Sequence, residues 1–139
     1  MVVALDKKEF LCRYHNLIER IEKKKHYIAF CEERAKSIPG QDFSVERVDH
    51  TPSYEAPFVK WVLRGLDAER ELKNLEEAAS KVKNEIESTI SKMINEDERT
   101  VLILHYIDWL SWAEIEDAMY ASKSTLMRLH RRALENLVL

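Results

Sequence analysis

The sequence predicts an all-α protein in which a long antiparallel helical hairpin precedes a C-terminal three-helix unit. Only 2 glycines and 3 prolines occur in 139 residues, and 34% of the residues are charged, which is typical of long helices rather than sheets. Over two long stretches, apolar residues recur at alternating steps of three and four, as they do on one helix face. We predict a hairpin over residues 1–94 and a separate unit over residues 95–139.

The first helix of the hairpin is predicted over residues 5–37. Pro39 and Gly40 stop it, because this pair does not continue a helix. Residues 38–56 then show no period and are rich in polar residues, so we expect an exposed loop. The spacing on the helix is coiled-coil-like, and its face carries Leu11, Tyr14, Ile18, Ile21, Ile28 and Ala35.

The second helix of the hairpin is predicted over residues 57–94. Pro57 suits its first position, and the three-four alternation continues from Phe58 to Met93. Neither long helix can bury its apolar face alone, so the two are expected to pair as an antiparallel hairpin. A pair of helices leaves some apolar width exposed, which predicts a homodimer formed through the long helices.

The last 45 residues predict three short helices with recognisable start signals. Asn95 is a candidate cap for a support helix over 96–107. Ser111 and Glu114 have the spacing of a capping box, and Ser122 can cap the next helix. That final helix has an apolar stripe of Leu126, Leu129, Ala133 and Leu137. We expect Trp109 and Trp112, which flank the linker before the capping box, to pack in the core.

The other face of the final helix is basic and rich in hydrogen-bonding side chains. Two short helices joined by a tight turn, the second of them basic, have the shape that enters a DNA major groove. We therefore predict a recognition helix over about 123–132. Ser124, Thr125 and Arg128 are expected to reach base edges or phosphates, and His130 to help the last two arginines neutralise phosphate. The face comprises Lys123, Ser124, Thr125, Arg128, Arg131 and Arg132.

The stretch from 98 to 137, ERTVLILHYIDWLSWAEIEDAMYASKSTLMRLHRRALENL, resembles region four of the primary-type bacterial sigma factors. The shared pattern is an Arg-Val-Leu-like helix, a short linker, a Ser/Thr-x-x-Glu-Ile start, a Ser-capped recognition helix and an Ala-Leu-x-x-Leu end. The whole chain is similar to phage regulators of the RinA and ArpU type, which join a long helical half to such a unit.

The resemblance implies a sequence-specific DNA-binding regulator of phage or prophage transcription, often of late genes. It adds Met127 to the exposed recognition positions and assigns Arg131 and Arg132 to the DNA backbone. Two residues depart from the pattern. Glu116 stands where a small residue is usual, and Tyr120 stands where the turn favours Gly, so we expect a turn that differs in shape or is longer.

Two other functions stay open at the level of sequence. One is a protein-interaction module that binds RNA polymerase or another host or phage protein, which an acidic net charge of −3 favours. The other is a small DNA-packaging subunit of the terminase type. RNA polymerase also stays open as a further partner of a DNA-binding regulator.

Catalysis is not expected, because the sequence has no Gly-rich phosphate loop and no nucleophile with an evident base. The five histidines lack ligand spacing, so we predict no metal and no cofactor. The chain has no apolar run of membrane-spanning length and no signal-peptide pattern. These features predict a cytoplasmic protein that does not interact with membranes, and the resemblance to phage regulators implies the cytoplasm of a bacterial host cell.

Overall fold

The computed structural model describes residues 2–37 and 57–139, and in these ranges the protein is helical without any strand. The helices are α1 (Val2–Ser37), α2 (Pro57–Ser91), α3 (Glu96–Leu102), α4 (Trp112–Met119) and α5 (Lys123–Asn136), with a π-helical turn at Ile103–Ile107. The predicted all-α class, a hairpin of long helices followed by short C-terminal helices, is confirmed. The predicted loop at 38–56 lies outside the described residues.

Several predicted helix ends shift. The first helix begins at Val2 rather than at residue 5, and the second ends at Ser91 rather than at 94. The support helix predicted over 96–107 has these bounds, but its second half, Ile103–Ile107, is π-helical rather than α-helical. The apolar period alone cannot distinguish these two helix types, since they differ in hydrogen-bond pattern by one residue.

The chain forms two compact units. The larger unit comprises residues 1–19 and 77–139, and the smaller unit comprises residues 20–76. This division differs from the predicted boundary at residue 94. Both long helices contribute one end to the larger unit, because the side chains at those ends share a core with the short C-terminal helices.

The core of the larger unit combines side chains from all five helices. Leu11 of α1 is fully buried together with Ile86 of α2, Ile115 of α4 and Leu126 of α5. Arg13 of α1 and Glu85 of α2 form an exposed ion pair at 3.1 Å. The remaining buried members of this core are Ile90, Met93, Val101, Leu102, Tyr106, Ala133, Leu134 and Leu137.

One charged side chain is buried inside the larger unit. Glu98 lies in the first turn of α3, and its two carboxylate oxygens accept hydrogen bonds of 3.0 and 3.2 Å from the Asn136 amide. Its backbone N–H donates to the Asn95 side chain at 3.0 Å, which confirms the predicted cap of α3. These bonds satisfy a group that would otherwise be costly to bury, and they join the start of α3 to the end of α5.

Among the described residues, the smaller unit contains a segment of α1 and a segment of α2. The two segments run antiparallel, since Lys24 pairs with Glu71 at 2.6 Å and the Phe30 ring meets the Trp61 ring edge-on at 5.5 Å. Close packing occurs at Gly65, where an added Cβ would lie 3.5 Å from the Cys31 Cβ. The buried apolar side chains of this unit are Ile21, Ile28, Cys31 and Ala68.

Among the helices that the structure describes, none has a stretch both long enough and apolar enough to span a lipid bilayer.

Candidate nucleic-acid interface

Helix α5 begins where the sequence predicts, because Ser122 caps it. The Ser122 backbone is extended, and its Oγ accepts a hydrogen bond of 3.3 Å from the Thr125 N–H. The same hydroxyl lies 3.0 Å from the Thr125 Oγ1 and 3.3 Å from the Ser124 Oγ. The three hydroxyl groups therefore form one exposed cluster at the start of the helix, in which each can exchange its neighbour for an external acceptor or donor.

The opposite side of α5 fixes the helix to the larger unit. Leu126, Ala133 and Leu137 are buried, and Leu129 is partly buried against the same core, so the predicted apolar stripe is confirmed. At the C-terminal end, the Lys7 ammonium of α1 donates hydrogen bonds to the Leu134 carbonyl at 2.8 Å and to the neighbouring carbonyl of residue 135 at 3.2 Å. A cation at this end stabilises the carbonyl groups that have no partner within the helix.

The predicted DNA-binding side chains lie on the outward side of α5. All of them are exposed except Met127, which is partly buried. We call the exposed set the cationic face, and it consists of Lys123, Ser124, Thr125, Arg128, Arg131 and Arg132. At 100° per residue, Ser124, Arg128 and Arg131 form its centre. Thr125 and Arg132 share one flank, so the fold presents the predicted residues as a single surface.

No cation of this face is engaged in an ion pair with the residues that the structure describes. The four positive charges of Lys123, Arg128, Arg131 and Arg132 are thus free to meet an external anion. Because they lie within three turns of one helix, they produce a local positive potential that the net charge of −3 does not reveal. Glu135, which follows on the same side, limits this potential towards the C-terminal end.

A groove of about 500 Å³ runs along the flank of the cationic face. Its lining comprises Thr125, Arg128, Leu129 and Arg132 of α5, Met119 at the end of α4 and Ala121 in the turn that follows. Asp97, at the start of α3, also borders it. Two arginines and a hydroxyl can together hold a phosphate group, while the carboxylate restricts where an anion can sit.

His130 is not part of this surface, and its predicted contact with phosphate is wrong. The imidazole Nε2 lies 2.8 Å from the Tyr106 hydroxyl, and the ring packs edge-on against Trp112 at 5.2 Å. Burial, with a smaller contribution from His105, lowers the pKa of His130 to about 4. Burial likewise raises the pKa of Tyr106 to about 12. His130 is therefore neutral at pH 7 and serves the interior of the larger unit.

Helix α4 has a well-defined start and end, and the turn between it and α5 contains a residue in the left-handed conformation. The predicted capping box opens α4: the Ser111 Oγ accepts from the Glu114 N–H at 3.2 Å, and the Glu114 carboxylate accepts from the Ser111 N–H at 2.8 Å. At the other end, Tyr120 has φ 57° and ψ 45°. The Tyr120 and Ala121 N–H groups both donate to the Glu116 carbonyl. Tyr120 thus has the positive φ that usually favours Gly at this position, and the expectation of a turn that differs in shape or is longer stays a prediction.

The two tryptophans beside the linker differ in environment. Trp112 is partly buried, as predicted, and its ring stacks on His105 with centroids 4.3 Å apart. Trp109 is 48% exposed, so its prediction as a core residue is wrong. Its backbone is also left-handed, with φ 57°, and its ring stacks on His15 of α1 at 3.4 Å with an interplanar angle of 7°.

The family model described as "Protein of unknown function (DUF1492)" matches residues 62–138, which is more than half of the chain. The chain belongs to the DUF1492 family. The matched range includes α3, α4, α5 and the whole cationic face, together with most of α2. No curated protein and no solved structure matches the chain.

Sequence reasoning did not find several residues that hold the DUF1492 region in place. Lys7, which caps the end of α5, lies 127 residues from its partner carbonyl, and no local pattern predicts such a contact. One weak feature of the sequence points to Tyr106 and His130 as an interior pair, since both are polar aromatic residues on otherwise apolar helix faces. Glu98 could have been suspected, because it follows the Asn95 cap at the spacing of a first-turn acid.

Within residues 2–37 and 57–139, no group of three His, Cys, Asp or Glu side chains is placed to hold a metal ion. Cys12 and Cys31 are both free thiols. Burial raises the pKa of the Cys12 thiol above its usual value, which disfavours the reactive thiolate. What the described residues do offer is an exposed cationic helix with a hydroxyl cluster at its start.

Proposed function

We propose that this protein is a sequence-specific DNA-binding transcriptional regulator whose recognition helix, α5, enters the major groove. One observation carries the proposal: the cationic face is exposed and free of ion pairs with the described residues, while the opposite side of the same helix is buried in a core. A helix fixed in this way can approach a duplex without rearranging. The resemblance to sigma factor region four and to phage regulators supports phage or prophage genes as the regulated targets.

The roles within the cationic face follow from position along the helix. Ser124, Thr125 and Arg128 lie near the N-terminal end, which is the part of a recognition helix that approaches base edges. Arg128 has the fork of donors that suits guanine O6 and N7. Arg131 and Arg132 lie a turn further on, where charge neutralisation of phosphates contributes affinity but little sequence choice.

We further propose that two copies bind together through the smaller unit. A groove of about 420 Å³ lies between its α1 and α2 segments, and Trp61, Val62 and Leu66 contribute apolar side chains to it. Its border carries Lys36 beside two acids, Glu32 and Glu69. In a two-fold dimer each copy presents the same patch to the other. A patch with both charge signs and an apolar centre can complement itself in this way.

A dimer also fits the requirements of DNA recognition. One helix of this type reads only a few base pairs, and two copies on one duplex double the recognised length. RNA polymerase is a further proposed partner of the bound regulator. The proposal assigns the protein a binding function rather than a catalytic one.

The decisive experiment compares two double variants with equal loss of charge. Lys123→Ala with Arg128→Ala removes two cations from the cationic face, whereas Lys81→Ala with Lys92→Ala removes two exposed cations elsewhere in the larger unit. The binding substrate is a duplex that the parent protein selects from a random pool, and fluorescence anisotropy measures its Kd. We expect the first variant to weaken binding at least about 30-fold, since each lost contact costs about 1–3 kcal/mol.

The control variant should bind within about threefold of the parent, because it keeps the cationic face. It loses as much non-specific electrostatic attraction to DNA as the first variant, so this effect is the same in both. Equal Kd values for the two variants would remove the basis for the proposal. If the parent selects no duplex but binds purified bacterial RNA polymerase, the protein-interaction function replaces it.

A further inference from the structure

Tyr120 combines a strained backbone with a side chain that stabilises no part of the described fold. Its backbone is left-handed, with φ 57° and ψ 45°, a conformation that glycine adopts freely and that a bulky residue adopts with strain. Its side chain is 100% exposed. The backbone N–H groups of Tyr120 and Ala121 end α4 by donating to the Glu116 carbonyl, but among the described residues none forms a hydrogen bond or a ring contact with the phenol, so no contact of the side chain offsets the strain.

Trp109 provides the comparison within the same unit. It has the same φ of 57°, but its ring stacks on His15 at a centroid distance of 3.4 Å. The internal contact gives this side chain a structural role, and strain at Trp109 is therefore accounted for. Strained residues without such a role are found at functional sites, where an external partner uses the side chain.

The position of Tyr120 identifies the kind of partner. It lies two residues before the cap Ser122 and three before Lys123, the first cation of the cationic face. Three Cα steps span at most about 11 Å, so a molecule that covers the start of α5 comes within reach of the phenol. A tyrosine ring is apolar while its hydroxyl is a hydrogen-bond donor, which matches a deoxyribose beside a phosphate.

We propose that Tyr120 binds the DNA backbone next to the site of the recognition helix. The hydroxyl donates a hydrogen bond to a phosphate oxygen, and the ring packs against the adjacent sugar. A contact of this type fixes the orientation of the protein on the duplex but does not select bases. This inference rests on the proposed DNA-binding function, and it adds a residue outside α5 to the interface.

The test uses substitutions that remove the ring and relieve the strain together. Tyr120→Gly and Tyr120→Asn both suit a left-handed backbone, and Asn does so without the added flexibility of Gly. We expect a urea midpoint no lower than that of the parent, and a Kd for the selected duplex about tenfold weaker in both variants. Tyr120→Phe keeps the ring and should weaken binding about threefold. The dependence of Kd on salt should not change, because no charge is removed.

The control is Trp109→Ala, which keeps a strained backbone and removes the ring that stacks internally. It should lower the urea midpoint while the folded protein binds the duplex within about twofold of the parent. A change at Tyr120 should therefore alter the Kd but not the urea midpoint, and a change at Trp109 should alter the urea midpoint but not the Kd. This contrast distinguishes an interface residue from a structural one.

Three results would overturn the inference, and each has a different meaning. If both Tyr120 variants bind DNA within twofold of the parent while the Lys123/Arg128 double variant does not bind, Tyr120 is not a contact but the proposed function stands. If the Tyr120 variants lose stability, the residue is structural. If the parent binds no duplex, the inference fails together with the proposed function.

Discussion

The larger and smaller units bury their side chains to very different degrees, although the same two long helices run into both. Nine large side chains in the described residues are fully buried, and all of them except Cys31 lie in the larger unit. In the smaller unit, two helices can bury only the stripe where they meet. Its exposed large side chains are Tyr27, Phe30, Val62, Leu63 and Leu66.

This difference in burial agrees with separate proposed functions for the two units. Helices of several directions enclose the core of the larger unit, and this core holds α5 firmly enough to present a defined surface. In the described part of the smaller unit, the exposed large apolar side chains lie on its two long helices, which favours association. In the larger unit they lie at turns and at the last residues: Ile94, Trp109, Tyr120, Val138 and Leu139. We therefore assign the proposed DNA recognition to the larger unit and the proposed self-association to the smaller unit, and the following experiments test that division.

The largest expected effect is on the stability of the two cores. Leu126 is fully buried among side chains from several helices, so Leu126→Ala should lower the free energy of unfolding by about 3–5 kcal/mol. Ile28 is buried between two helices and also lines the groove of the smaller unit, so Ile28→Ala should leave a less enclosed cavity and cost about 2 kcal/mol. Urea denaturation followed by circular dichroism measures both. Equal losses would show that the two cores do not differ as described.

The next effect concerns self-association. Leu66→Glu places a charge in the proposed dimer groove, whereas Leu63→Glu makes the same change at an exposed position that does not line it. At micromolar concentration, sedimentation velocity should show the parent and Leu63→Glu at twice the chain mass of 16.4 kDa. Leu66→Glu should sediment at the chain mass. A monomeric parent would contradict the role given to the smaller unit.

Lowering the pH should reduce the stability of the folded protein by a smaller amount. The pKa of His130 is about 4 in the folded protein, against an ordinary value of 6.5, because the interior disfavours the charged ring. Below pH 6.5 the unfolded chain takes up a proton that the folded chain does not, so stability falls progressively between pH 6.5 and about 4. The urea midpoint should decrease over this range, and His130→Gln should reduce that decrease. A pH-independent midpoint would show that the imidazole is not buried as described.

Local signals account for what the sequence predicted well. The caps at Asn95, Ser111 and Ser122 depend on residues three positions apart, so the helix starts follow from short patterns. The exposure of Arg128 and the burial of Leu126 follow from the helical period. The surface that could bind DNA was therefore recognisable before the fold was known.

What the sequence did not reveal depends on contacts between distant parts of the chain. Leu11 belongs to the core of the larger unit, and the predicted boundary at residue 94 separated it from that core. Trp109 stacks on His15 across 94 residues of chain, and the burial of His130 depends on Tyr106. Periodicity shows which face of a helix is apolar, but it does not show which helix covers that face.

The salt dependence of DNA binding tests whether α5 is the DNA-binding helix. If Lys123, Arg131 and Arg132 each neutralise a phosphate while Arg128 contacts a base, log Kd should rise with log salt concentration with a slope of about 2.7 per bound chain. Replacing Lys123, Arg128, Arg131 and Arg132 by Gln should bring this slope close to zero in the folded protein. A parent slope near zero, or a slope that the four substitutions leave unchanged, would contradict the assignment of α5 as the DNA-binding helix.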